Sequence, residues 1–365
     1  MALGKRNEVK VAIENYVHLI IGERKIGKST LVAEIAKTRS SIDDLLVISV
    51  GDEDGFHAID GLIYENPMTW KEFVDIVDEL IQNQDSYDFR YVAIDTIDEL
   101  ISLGIKEVLR LHKIEKQTPV KSVNDAFGGY GRGKAKLTQI IGDQISRLKK
   151  SKYTLFEIGH NKVKELKDKG TGDPFNILTS NLTNDYFDIF AYKADIVCNI
   201  VTEKQTSENN KLEDVKRYMY FRSDGFVDAG SRFKALPNRV PYGAEEYIDA
   251  VEEGIKNSID RKITKKEMEE LKEKSIATKA KEAKEYVEKH EAEVAAENEE
   301  MELKAEVERL KGYITDSSKS VSKVAKAQLK DVIVGSFGKV GDATEADIDA
   351  LKQCEAIIDA DLGIE

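Results

Sequence analysis

An α/β fold with a mainly parallel sheet, followed by a charged helical C-terminal extension, is what this sequence predicts. Three observations carry that expectation. Through about residue 250, short β-rich runs alternate with amphipathic helical stretches, the pattern of a sheet covered on both faces. A glycine-rich turn with the spacing G-x-x-x-x-G-K-[ST] sits between the first strand and the first helix. Beyond Pro241 there is no proline, and residues 261–311 hold 13 basic and 15 acidic side chains with Tyr286 as their only aromatic residue.

Taken in order, Tyr16–Ile21 is an apolar strand, and a helix runs from about Lys28 to Lys37. Leu45–Val50 and Arg90–Ile94 are further apolar strands, the second leading into a helix through Leu111. A helix over Lys134–Lys150 precedes the strand Tyr153–Ile158, and Asp195–Val201 and Val215–Arg222 add strands. Asp224-Gly225 reads as the turn of a hairpin. The charged stretch reads as a solvated helix rather than core, and it closes on a short seam of Leu303, Val307, Leu310 and Ile314. That seam suits packing on its own chain or a dimer contact equally. The remainder has room for two helices, the second announced by a capping signal at Thr344–Asp347. The expected organisation is a core over 1–250, a stalk over 251–312 and a small helical module over 313–365.

Composition narrows the function. The chain has 365 residues and a formal net charge of −13, from 55 basic and 68 acidic side chains. A chain so acidic is no basic nucleic-acid coat, so any contact with DNA must come from a local patch. Cys198 and Cys354 stand far apart, without the spacing of a disulfide framework or a zinc ribbon. No apolar run approaches the ~18 residues of a membrane span, and MALGKRNEVK has no apolar signal core. The expectation is a cytoplasmic protein without a membrane partner.

Gly22-Glu23-Arg24-Lys25-Ile26-Gly27-Lys28-Ser29, followed by Thr30, has the chemistry of a phosphate cradle. Its glycines let successive N–H groups face one anion, and the helix start adds a positive dipole end. Lys28 supplies a point charge to the β- and γ-phosphates of ATP, and the Ser29 hydroxyl is a ligand for Mg²⁺. Asp95, ending the strand Tyr91–Asp95, is placed to hold the same ion. Thr96 follows it where many related ATPases carry a water-polarising Glu. A hydrolytic carboxylate must then come from elsewhere. Glu53, after the strand Leu45–Val50, is the first candidate, with Asp54 beside it and Asp98 and Glu99 as competitors. The last two also read as an acidic first helical turn. His160 and Asn161 end a strand beside the P-loop strand and are candidate γ-phosphate sensors.

The P-loop, the Asp95-Thr96 and Gly159-His160-Asn161 strand ends and the Arg232–Pro237 segment together resemble phage-encoded RecA-like nucleotide-binding proteins, including those associated with single-strand annealing recombinases. The resemblance spans roughly residues 10–250. It implies a RecA-like ATPase core that binds single-stranded DNA in an ATP-linked way during recombination or annealing. It also implies where DNA would touch. The first segment holds Tyr130 for stacking and Arg132, Lys134 and Lys136 for phosphates, among glycines. The second runs from Asn161 through Lys162, Lys164, Lys167 and Lys169 to Gly172 and reads as a mobile basic loop. Arg222 and Arg232 are candidate arginine fingers in a homo-oligomer. The tail from Lys262 is a docking module, with a single-stranded-DNA-binding protein as one candidate partner. The competing reading is a nucleotide-gated interaction module with little or no hydrolysis.

Overall fold

The computed structural model describes residues 9–52, 55–168, 170–206, 212–259 and 264–362. These fall into two compact units, one running to Tyr286 and the other from Val287 to the C-terminal end.

The first unit is a sheet with helices on both faces. Its elements are β1 (His18–Gly22), α1 (Lys28–Arg39), β2 (Leu45–Ser49), β3 (Ile63–Glu65), α2 (Trp70–Gln82), β4 (Tyr91–Asp95) and α3 (Ile97–Lys116). Then come α4 (Arg132–Lys150), β5 (Thr154–Lys167), β6 (Pro174–Ser180), α5 (Asn184–Ala191), β7 (Ile196–Thr206) and β8 (Leu212–Tyr220). β9 (Gly230–Ser231), β10 (Arg239–Pro241) and α6 (Ala244–Lys256) complete the sheet and its cover. The strand order is β10-β8-β7-β1-β5-β4-β2-β3, with β6 on β5 and β9 on β7. From β7 through β3 the neighbours are parallel, and β8, β10, β6 and β9 are antiparallel additions. β1, β2 and β4 are buried along their whole length, which is why they read as continuous apolar runs rather than alternating ones. One face packs Ile20, Val47, Ala93, Phe156 and Ile158 against Leu31, Ile35, Tyr247 and Val251 of α1 and α6.

Register sets the site. Gly22 at the end of β1 pairs with His160 of β5, and Ile158 of the same strand pairs with Asp95 of β4. The glycine-rich turn, His160 and Asp95 therefore leave the same edge of the sheet, with β5 between the other two strands.

Three sequence expectations need correction. The segment after His160 is not a loop. β5 continues to Lys167 and pairs with β6 as an antiparallel arm beyond the parallel sheet. Asp224-Gly225 does form a tight turn, with the Asp224 carboxylate accepting from the Phe226 and Val227 amides. It does not join a hairpin, because β8 is already flanked by β7 and β10 and the chain crosses to pair β9 with β7. Finally, the charged helix α7 (Lys265–Ser317) is not solvated from its start. Met268 and Ala283 are buried in the first unit, and the Lys279 ammonium donates to the carbonyls of Glu14 and Tyr153 at 2.6 Å each. The unit boundary accordingly falls at Tyr286 and not near residue 250.

In the second unit the end of α7 packs with α8 (Lys323–Ser336) and α9 (Ile348–Leu362). Val307, Leu310 and Ile314 are buried there against Val321, Leu329, Leu351, Cys354 and Ile358. These three seam positions are thus covered by their own chain. Thr344 and Asp347 form a reciprocal capping box just before α9.

Candidate nucleotide site

The P-loop bridges β1 and α1. Gly27 caps the helix at φ +108°, a left-handed conformation that a side chain disfavours, and its carbonyl accepts the first helical bond from Leu31 at 2.8 Å. Lys28 is buried, and its ammonium donates to the carbonyls of Gly22 and Glu23 at 3.2 and 2.9 Å. The Ser29 hydroxyl donates to Asp95 Oδ2, joining the helix start to the end of β4. The Asp95–Thr96 peptide is cis.

These groups open onto a cavity of about 810 Å³. The P-loop lines one side through Arg24, Lys25, Gly27, Lys28, Ser29 and Thr30, whereas Gly22 and Ile26 are buried and Glu23 is exposed outside the cavity. Asp95, Glu99 and His160 line another side, and Asp52 and His57 come from the segment after β2. The donor set fits a nucleotide with magnesium. A buried cation and a helix start face the space, and a hydroxyl and carboxylate already in contact form two adjacent oxygen ligands.

Asp98 and Glu99 follow each other but do different work. The Asp98 carboxylate accepts from the His160 amide at 2.9 Å and from Asn181 Nδ2 at 3.3 Å, and it lies 3.5 Å from His160 Nδ1. Burial pushes its pKa up, yet these hydrogen bonds outweigh burial and hold it below the usual carboxylate range. Asp98 therefore positions His160. Glu99 reaches the cavity wall, packed over Gly51. Glu53 and Asp54 lie outside the described residues, as does Lys169.

The other sequence candidates stand outside this cavity. Tyr130 is fully exposed at φ +52° in front of α4. Arg132 donates back to the Phe127 carbonyl at 3.3 Å, Lys136 reaches Gln139 at 3.3 Å, and Lys134 pairs with Asp185 at 2.8 Å. On the β5–β6 arm, Lys162 and Lys164 share a face, and Lys164 donates to the Leu182 carbonyl at 2.6 Å. Both basic segments thus touch the stretch 182–185. Arg232 is paired with Asp195 at 3.0 Å beside the start of β7, the sheet edge opposite the P-loop. Arg222 is half-buried just after β8. His18, which reads as structural, is buried between Ile13 and Tyr247, and burial lowers its pKa to about 4.

Two residues escaped the sequence reading. Arg217 of β8 donates to the Ile26 carbonyl at 2.7 Å, and the Tyr242 hydroxyl donates to the Gly27 carbonyl at 2.8 Å. No local signal marks either one, since Arg217 is an ordinary alternating strand residue and only the sheet brings it to the P-loop.

A strand-borne P-loop joined through a serine to an apolar strand's terminal aspartate defines a P-loop NTPase. In agreement, the family model described as an AAA domain matches residues 14–233, and the chain belongs to that family. No curated protein matches the chain. Among the described residues, no helix is long and apolar enough to cross a membrane.

Proposed function

We propose that this protein binds ATP with Mg²⁺, hydrolyses it, and acts on single-stranded DNA in recombination or strand annealing. The observation that carries the nucleotide part is the Ser29–Asp95 contact beneath a P-loop whose lysine is buried. Ser29 and Asp95 would hold the metal, which when bound neutralises charge on the β- and γ-oxygens. Lys28 would draw the phosphates against the loop amides, and His160, oriented by Asp98, would sense the terminal phosphate. The DNA part is supported by two basic segments that both adjoin residues 182–185, one of them presenting a fully exposed tyrosine.

A second reading has its own observation. Thr96, not Glu, follows Asp95, and it caps α3 by accepting from the Glu99 amide. This favours a nucleotide-gated interaction module with negligible turnover. ATP hydrolysis with and without single-stranded DNA at low salt, beside Lys28→Ala, separates the two. Stimulation by DNA that vanishes in the variant supports the first reading. Tight ATP binding with no turnover under either condition selects the second, and absence of DNA binding in both nucleotide states removes the DNA role.

A further inference from the structure

We propose that Arg217 and Tyr242 are positioning residues that clamp the P-loop from behind and hold its amides toward the phosphates. The inference rests on the nucleotide-binding reading of that loop. Peptide planes carry the argument. In a trans peptide the C=O of one residue and the N–H of the next point in opposite directions. The Arg217 guanidinium takes the Ile26 carbonyl at 2.7 Å, so the Gly27 N–H is turned the other way. The Tyr242 hydroxyl takes the Gly27 carbonyl at 2.8 Å, which does the same for the Lys28 N–H. Gly27 and Lys28 both line the cavity.

The two clamp residues also hold each other. The guanidinium carbon lies 3.9 Å from the centre of the Tyr242 ring, a cation–π contact that joins the two side chains. Burial raises the Tyr242 pKa despite the neighbouring guanidinium, which keeps the phenol a donor. Gly27 shows how closely they approach. A Cβ there would stand 2.5 Å from the Tyr242 hydroxyl and 2.9 Å from Arg217 Nη1. The glycine is thus required twice, by its backbone angle and by the clamp against its side. Both residues come from the antiparallel edge of the sheet, Arg217 from β8 and Tyr242 from the turn between β10 and α6, where its amide bonds the Arg217 carbonyl at 3.0 Å.

The test uses the full chain with Mg²⁺ and measures dissociation constants for ATP, ADP and GTP by calorimetry, with ligand-free melting temperatures alongside. Arg217→Ala is expected to weaken all three nucleotides by about tenfold, the scale of one charge-assisted hydrogen bond. Tyr242→Phe, which keeps the ring beneath the guanidinium and loses only the hydroxyl, should weaken them about threefold without moving the ligand-free melting temperature. Wild-type affinity in both variants overturns the clamp. So does a loss confined to adenine or to guanine nucleotides, which would make these residues base contacts. If the wild-type chain binds no nucleotide, the nucleotide-binding reading fails and the clamp with it. If it binds and Lys28→Ala does not, unchanged Arg217→Ala removes the clamp alone.

Discussion

Glu157 lies on β5 between Leu19 of β1 and Ile94 of β4, fully buried, with neither carboxylate oxygen hydrogen-bonded. Burial raises its pKa to about 8, against the pull of Lys149 and Lys193. The fold therefore keeps a proton that the unfolded chain releases near its ordinary value of 4.5, so stability falls as pH rises from 4.5 to about 8. Glu157→Gln should stabilise the protein by about 1–3 kcal/mol at pH 8 and flatten that slope. Urea unfolding at pH 5 and pH 8 measures both, and an unchanged slope would show that Glu157 is not the proton carrier. Glu99 invites a second substitution. Glu99→Gln should leave nucleotide affinity intact and lower ATP turnover about 100-fold or more if this carboxylate orients the attacking water. Undiminished turnover would move that role to the 52–58 segment, where Glu53 and Asp54 are the remaining candidates. At this scale the sequence was most legible where chemistry is local. Lys28, Ser29 and Asp95 follow from spacing and strand ends. Arg217, Tyr242 and the Asp98–His160 pair arise from contacts across the sheet, which no window of sequence contains.

Among the elements, the central strands were readable because full burial leaves an unmistakable apolar run. The β5–β6 arm was not, since its lysines suggested a loop. Lys162, Val163, Lys164, Glu165 and Leu166 in fact alternate charged and apolar side chains only in part, and pairing with β6 decides the matter. The segment before α4 is the opposite case. Phe127, Gly128, Gly129, Tyr130 and Gly131 all have positive φ. The Phe127 amide donates to buried His112 Nδ1 at 2.9 Å, and the two rings meet edge to face at 5.3 Å. That anchorage places Tyr130 in solvent on a backbone that non-glycine residues seldom adopt. Tyr130→Ala should weaken single-stranded DNA binding about 5- to 100-fold, the range for one stacked base, while leaving the melting temperature unchanged. Anisotropy titrations with a labelled oligonucleotide would read this, and equal affinity would take the loop off the DNA path.

For the whole molecule, the main departure from expectation is where the first unit ends. Charge density made α7 look solvated throughout, yet its first turns belong to the sheet domain. Lys272 bonds Glu252 at 2.8 Å, and Glu252 also pairs with Arg39 at the end of α1. Arg39 in turn pairs with buried Glu14 at 2.9 Å. Lys279 reaches two backbone carbonyls, and burial lowers its pKa to about 7. Long Lys and Glu side chains can cover apolar surface with their stems, so composition alone does not separate a docked helix from a free one. The consequence is a test by truncation. A chain ended after Tyr286 should keep the unfolding free energy of the first unit and its nucleotide affinity. One ended after Ala250 exposes the space vacated by Val251, Ile255 and Met268, each buried in the core. At about 1.5–3 kcal/mol for each such side chain, the loss should reach at least about 4 kcal/mol, a large share of a typical domain's stability. Denaturant unfolding followed by tryptophan fluorescence compares the two chains, because Trp70 opens α2 in the retained part. Equal stability would mean that neither the end of α6 nor the docked part of α7 contributes to the fold they cover. A large loss in the shorter chain, restored by extension to Tyr286, would make residues 251–286, the end of α6 together with the docked part of α7, part of the nucleotide domain.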